Sequence, residues 1–155
     1  MAENIKQFID FLIKAKQSTY ANSNSAVMTL APLTGAKLHE YEQGALFYRD
    51  IYYGFLQFTG QEVIYQRETA VWSMSYSGKC FLDKDSESIY GFLRQALLQS
   101  TRDMPFRGPF EFNSENDLRY VNCYSGNFDF FSGEEQIWHN NMLAYKLYYS
   151  GGWVN

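Results

Sequence analysis

Two glutamates stand at matching places in the chain, each two residues after a glycine: Gly60-Gln61-Glu62 and Gly133-Glu134-Glu135. Paired carboxylates are the minimum equipment for general acid–base chemistry, one group holding a proton while the other takes one. A repeated glutamate near a turn has a plainer use, accepting hydrogen bonds from local backbone donors. Occurrence in two copies favours that structural use. Arg107 lies in Pro105-Phe106-Arg107-Gly108-Pro109. Two prolines stiffen this loop, and a guanidinium on a stiff loop is a ready anion clamp; a solvated arginine in a plain turn is the alternative.

The remaining reactive side chains carry less. His39 and His139 are the two histidines, and His39-Glu40-Tyr41-Glu42-Gln43 lacks the second histidine of an HExxH motif. A metal site would have to assemble from distant positions, so exposed or turn histidines are preferred, with no metal and no cofactor expected. Cys80 and Cys123 are far apart, in no CxxC pair and not beside a histidine; they read as reduced, buried packing thiols. Phosphate loops, GxGxxG and nucleophile elbows are absent from the sequence. No catalytic residue is assigned.

The densest set of ligand-suited side chains is aromatic. Tyr48, Asp50 and Tyr52 alternate in one segment, and Tyr120, Asn122 and Tyr124 in another. A period of two places each trio on one face of a strand. Phenols join a stacking ring to a hydrogen-bonding oxygen, which suits a small planar or polar organic ligand. Trp72, Met74 and Tyr76, with Tyr145, Leu147 and Tyr149, alternate likewise and are expected to face the core. With strands in simple register, Ser73 and Ser75 join the tyrosine trios on a free face opposite the helices. The wet side of an antiparallel sheet is the plain alternative for those tyrosines.

Both trios belong to an internal repeat. Tyr48, Tyr52, Gly54 and Phe58 match Tyr120, Tyr124, Gly126 and Phe130 at an offset of 72 residues. After one added residue, Gly60, Glu62, Ile64 and Tyr76 match Gly133, Glu135, Ile137 and Tyr149 at an offset of 73.

Helices and strands must position these groups. Ile5, Phe8, Ile9, Leu12 and Ala15 mark an amphipathic helix of about four turns. Ile89, Phe92, Leu93, Ala96 and Leu97 mark a second helix over residues 86–99, with capping oxygens in Asp83-Lys84-Asp85-Ser86. Ile5 and Phe8 match Ile89 and Phe92 at an offset of 84, so the helices join the repeat. The extra length of the first half falls in a loop over residues 18–36, long enough to suggest a functional role. Strands are expected at 37–42, 46–53, 55–59 continuing at 62–66 past a turn or bulge at Gly60, and 70–76. They recur at 110–112, 118–125, 127–131, 135–139 and 142–149. The expected fold is α+β: one domain, an internal duplication of an αββββ unit (halves about 1–82 and 83–155), with an antiparallel sheet carrying two helices on one face. Two sheets packed as a sandwich or partial barrel are the alternative.

The 155 residues suffice for one domain with a sizeable core, and 13 tyrosines and 13 phenylalanines favour strands. The net charge of -4, with no basic run, argues against direct nucleic-acid binding. No apolar run is long enough to span a membrane, and the N-terminus lacks a signal-peptide pattern. A cytoplasmic location is expected.

Phe11-Leu12-Ile13-Lys14-Ala15 with Thr19-Tyr20-Ala21, Phe58-x-Gly60-x-Glu62, Trp72-Ser73-Met74-x-Tyr76-x-Gly78, Phe106-Arg107-Gly108-Pro109 and Phe131-Ser132-Gly133-x-Glu135 together resemble an uncharacterised bacterial domain family. Its members are similar over nearly the full chain and occur alone or behind an XRE-type helix-turn-helix. The resemblance implies a cytoplasmic bacterial protein and, where the helix-turn-helix is present, a sensory or effector role. These 155 residues leave no room for that DNA-binding part, and no catalytic residue carries over.

The leading functional expectation is a non-catalytic small-molecule-binding or sensory domain. Tyr48, Tyr52, Tyr120 and Tyr124 would stack or hydrogen-bond with the ligand, and Asp50 and Asn122 would orient it. The 18–36 loop and the Arg107 loop would border the pocket. The alternative is a protein–protein interaction or homodimerisation module using the same face. An enzyme using Glu62 or Glu135 ranks last.

Overall fold

A computed structural model describes residues 2–24, 28–29 and 33–154 of the chain. Parts of the 18–36 loop, Pro32 among them, lie outside the described residues. The order of elements is α1 (Ala2–Ser18), β1 (Met28–Thr29), β2 (Lys37–Gln43), β3 (Leu46–Gly54), β4 (Gln57–Gln66) and β5 (Thr69–Cys80), then α2 (Ser86–Leu97), β6 (Glu111–Asn113), β7 (Leu118–Asn127), β8 (Phe130–His139) and β9 (Met142–Trp153). All nine strands join one antiparallel sheet in the order β1-β2-β3-β4-β5-β9-β8-β7-β6. The sandwich alternative is thereby replaced by a single sheet, in which β5 and β9 pair at the centre from Trp72↔Trp153 to Cys80↔Tyr145.

Both helices follow their apolar stripes. Phe8, Phe11, Leu12 and Ala15 of α1 are buried, as are Ile89, Phe92, Leu93 and Ala96 of α2. Asp85 occupies the N-cap of α2 but makes no side-chain capping bond, so the expected carboxylate cap is not used. No helix among the described residues is long and apolar enough to cross a membrane.

Two bulges decide which strand side chains face inward. The β4–β5 hairpin turns at Arg67 and Glu68, both with positive φ, as two-residue hairpin turns require. Regular pairing from Gln66↔Thr69 and Tyr65↔Ala70 would next oppose Ile64 to Val71. Instead Ile64 pairs with Trp72, leaving Val71 as the extra residue. The β8–β9 hairpin does the same: Trp138 pairs with Leu143, Ile137 with Tyr145, and Ala144 is extra.

A one-residue bulge reverses the faces beyond it. Tyr48, Ile64 and Trp72 therefore share one face, and so do Asp50, Glu62 and Met74. The expectation of a free tyrosine face opposite the helices is overturned for this reason. Tyr48, Asp50, Tyr120 and Asn122 are buried, and Tyr48 and Tyr120 share a core cluster with residues of both helices. Ser75, Ser77 and Ser150 take the exposed side instead.

Gly60 is not a turn. It lies inside continuous β4, between Tyr52 of β3 and Tyr76 of β5. A side chain there would collide with the Tyr76 phenol and the Tyr52 β-carbon. Gly133 in β8 stands under the Tyr149 ring in the same way. The missing side chains let both tyrosines lie across their sheet neighbours.

Aromatic stacking fills the second half. The rings of Phe106 and Phe131 lie with centroids 3.6 Å apart, and Trp72 stacks at 5.7 Å from Phe131 and 5.2 Å from Phe128. Fully burying such side chains is worth roughly 1.5–3 kcal/mol each, which pins the loop carrying Phe106 and Arg107 against the sheet.

Candidate functional site

A cavity of about 320 Å³ opens between the end of α1, α2, and strands β3, β4, β5 and β9. Tyr48, Tyr52, Phe58, Tyr76, Tyr90 and Tyr145 supply aromatic wall, and Leu93 and Leu97 of α2 close one side. Lys37 and Arg94 are half-buried and Phe55 is exposed, which marks the mouth. The floor is charged: Lys16, Asp50, Glu62 and Arg107 all line the cavity and all are buried.

Each floor residue has a local reason for being there. Lys16 falls four residues after Leu12, on the buried stripe of α1, so the helix carries it inward. Its ammonium donates to the Phe106 carbonyl and lies 2.9 Å from Glu62 Oε2, off the hydrogen-bonding direction. Burial lowers the Lys16 pKa, and the Glu62 carboxylate opposes that shift. Arg107 Nη1 stands 3.9 Å from Glu62 Oε1, and Nη2 stands 2.5 Å from Glu135 Oε1. The Tyr120 hydroxyl donates to Glu135 Oε2 at 2.6 Å and the Tyr145 hydroxyl to Oε1 at 2.8 Å. Lys16, Glu62, Arg107 and Glu135 thus alternate in sign along a buried chain, the arrangement that makes interior charge tolerable.

Asp50 is the exception. Its Oδ1 accepts from the Tyr76 hydroxyl at 2.7 Å, and among the described residues no cation pairs with it. Burial first, and then the neighbouring Glu62 carboxylate, raise its pKa from 3.8 to about 7. Burial also holds the Tyr76 and Tyr48 phenols well above the ordinary tyrosine range, so both remain neutral. Arg107 Nε and Glu62 Oε2 have no hydrogen-bond partner among the described residues. Orphaned buried atoms mark places where water, a ligand or a small movement supplies the partner.

A similar hydrogen bond is made at Asn122, where no space is left open. The Tyr149 hydroxyl donates to Asn122 Oδ1 at 2.8 Å, as Tyr76 does to Asp50. Asn122 Nδ2 donates to the Gly108 carbonyl at 2.8 Å, and Gly108 N donates to the Tyr120 hydroxyl at 2.9 Å. Here the 101–109 segment covers a neutral, satisfied amide. Asp50, by contrast, is a carboxyl that borders open space.

Of the residues expected to form a site, Tyr48, Asp50, Tyr52 and Arg107 line the cavity. Tyr120, Asn122 and Tyr124 do not; the Tyr124 hydroxyl donates to the Asp103 carbonyl at 2.8 Å, and its ring meets Phe106 edge-on. Arg107 is buried in an ion pair rather than solvated. Lys16, Tyr76, Tyr90 and Arg94 were missed. A lysine on the apolar stripe of α1 is a signal for Lys16; Tyr76 was expected in the core, as found, and the bulge hid only that Asp50 shares its face. His39, expected in a turn or in solvent, is buried in β2 and stacked on Tyr52 at 5.8 Å. Cys123, expected to be buried, is exposed. Among the described residues no group of three or more His, Cys, Asp and Glu side chains is placed to hold a metal.

A family model described as Domain of unknown function (DUF5680) matches residues 50–154. No curated protein and no solved structure matches the chain.

Proposed function

The chain belongs to the family described as Domain of unknown function (DUF5680), and from the cavity that the chain encloses we propose a non-catalytic, small-molecule-binding domain with a sensory role. The ligand sits against Asp50. The observation that carries this reading is the contrast between Asp50 and Asn122. Both accept a tyrosine hydroxyl on the same face of the sheet. Asn122 is closed off by backbone, while Asp50 keeps a carboxyl with no direct ion pair among the described residues, beside about 320 Å³ of space. Burying a carboxyl without a direct ion pair costs stability, and a binding role explains its retention. The volume is at the lower end of small-molecule sites, and aromatic walls with a few polar groups fit that use.

The contrast gains force if the two halves, about 1–82 and 83–155, descend from one αββββ unit with both helices packed on one face. The palindromic strand order around β5 and β9, the paired bulges and the paired glycines support that descent. Duplication frees one copy to keep the packed version of the site while the other opens. A bacterial, cytoplasmic setting rests on the sequence resemblance.

A catalytic version of the same site is the second reading, favoured by Asp50 alone. A carboxyl titrating near neutrality can hand a proton over and take it back. Glu62 and Glu135 are engaged in ion pairs and are not its first candidates.

The test is a ligand-observed NMR screen of small ring compounds against the wild type and Leu93→Trp, which fills the cavity from α2. Leu97→Phe serves if the larger ring is not accommodated. Binding that is lost in the folded, cavity-filled variant is the expected result. Compounds that bind both proteins equally, or a screen without binders, would overturn the proposal. Recovery of bound compounds unchanged separates the binder from the enzyme.

A further inference from the structure

We propose that the cavity takes a ring-bodied organic acid, with its anionic group held at the mouth by Arg94 and Lys37 and a hydrogen-bond donor on its ring directed at Asp50. This rests on the cavity being a ligand site and names what that site selects.

The charges lining the cavity pair unevenly. Lys16 is matched with Glu62, and Arg107 with Glu135. Three charged lining residues are left over. Lys37 and Arg94 stand at the mouth, and among the described residues neither is paired with a carboxylate; Asp50 stands at the floor. A ligand that satisfies all three is anionic at its outer end and donates a hydrogen bond at its inner end.

The mouth cations are held in place without being neutralised. Lys37 Nζ donates to the Gly54 carbonyl at 3.0 Å and lies 5.5 Å from the centre of the Tyr52 ring, leaving further ammonium protons for a ligand. The Arg94 guanidinium lies 6.0 Å from the centre of the Tyr20 ring and makes no side-chain hydrogen bond among the described residues, so its edge can offer two parallel bonds to a carboxylate or phosphate. At the floor, the Tyr76 hydroxyl occupies Asp50 Oδ1, so Oδ2 is the acceptor left for the ligand. Tyr52, Phe58 and Tyr90 supply the flat walls between the two ends. An amine is disfavoured although Asp50 is an acid, because it passes Arg94 and Lys37 on the way in and then meets Lys16 and Arg107.

The test uses matched probes on the intact chain at neutral pH and low salt. 4-Hydroxyphenylacetate, 4-methylphenol and tyramine share a ring and a phenolic donor, and differ in carrying an acid, no charge or an amine. Affinities are read by ligand-observed NMR for the wild type and for Lys37→Gln/Arg94→Gln, whose changes lie at the half-buried mouth. The acid is expected to bind about tenfold or more tightly than 4-methylphenol, with tyramine weakest. In the double variant the acid should fall to the level of the neutral probe, which itself stays unchanged. Phenyl phosphate tells a phosphate-selective mouth from a carboxylate-selective one, and preference for either anion supports the proposal. Equal or tighter binding of 4-methylphenol or tyramine, lost on Leu93→Trp, would overturn the ligand class and leave the cavity as a binding site. Failure of every probe to bind would overturn the ligand class; failure of the broader ring-compound screen as well would overturn the binding site itself.

Discussion

Tyr76 reaches across Gly60 to donate a 2.7 Å hydrogen bond to Asp50, two strands away in the sheet. The reach exists because position 60 has no side chain, and a β-carbon there would meet the Tyr76 phenol. Gly60→Ala should therefore destabilise the fold by about 1–3 kcal/mol and separate the phenol from Asp50. Denaturant unfolding of Gly60→Ala, Tyr76→Phe and the double variant measures the link. A coupling on the order of 1 kcal/mol is expected between the two positions, and strict additivity would show that the glycine serves some other purpose.

Asp50 makes stability depend on pH in a particular direction. Its folded pKa of about 7 lies above the ordinary value of 3.8. Between those values the folded protein holds a proton that the unfolded chain has lost, so stability falls as pH rises through that range and levels off above pH 7. The loss is at most on the order of 4 kcal/mol. Asp50→Asn removes the effect and matches the residue used at position 122. The variant should show a flatter profile and greater stability than the wild type at pH 8. Urea unfolding across pH 4–8 reads this, and parallel profiles for the two proteins would be the contrary result.

Arg107 and Glu135 give the opposite outcome on substitution. Their charges meet at 2.5 Å, with two tyrosine hydroxyls completing the carboxylate. Glu135→Gln leaves a buried guanidinium without its counter-charge, and a cost of about 3–5 kcal/mol is expected. Replacing Arg107 and Glu135 together by Met and Gln should cost less than Glu135→Gln alone. Thermal melts of the variants decide it.

Most of the fold was legible, and the site was only half so. Ile5, Phe8 and Leu12 in α1, and Ile89 and Phe92 in α2, locate both helices because a 3.6-residue period survives without tertiary information. Most strand segments follow from period-two runs and turn residues, but β1 (Met28–Thr29) lies in the stretch read as a loop. The two strands expected at 127–131 and 135–139 are one continuous β8, because Gly133 sits inside the strand rather than at a turn. The face of the tyrosine trios was not legible, since it depends on Val71 and Ala144 each bulging out of a strand. Neither residue carries a mark that distinguishes a bulge from regular pairing. Once the parity is reversed, Tyr76 joins Asp50 and Trp72 joins Tyr48; Tyr48, Asp50 and Tyr52 become part of a cavity lining, while Tyr120 and Asn122 are packed away in the core. The Lys16–Glu62 and Arg107–Glu135 contacts span long stretches of chain, which no local pattern encodes.

The two thiols should differ sharply. Cys80 is buried and its pKa is raised, chiefly by desolvation, whereas Cys123 is exposed. One fast-reacting thiol per chain is expected with a disulfide reagent under native conditions, and two after denaturation. Cys123→Ser should abolish the fast phase. Persistence of that phase would place the accessible thiol at Cys80 and contradict the packing around β5.

In the proposed function the Asp50 cavity, rather than the open side of the sheet, receives the ligand. The most direct measurement is amide chemical-shift mapping by NMR during titration with 4-hydroxyphenylacetate. Shifts are expected along β3 around Asp50, at Tyr76 and in α2 around Leu93 and Arg94. Shifts confined to Ser75, Ser77 and Ser150 on the exposed face, or no shifts at saturating probe, would contradict it.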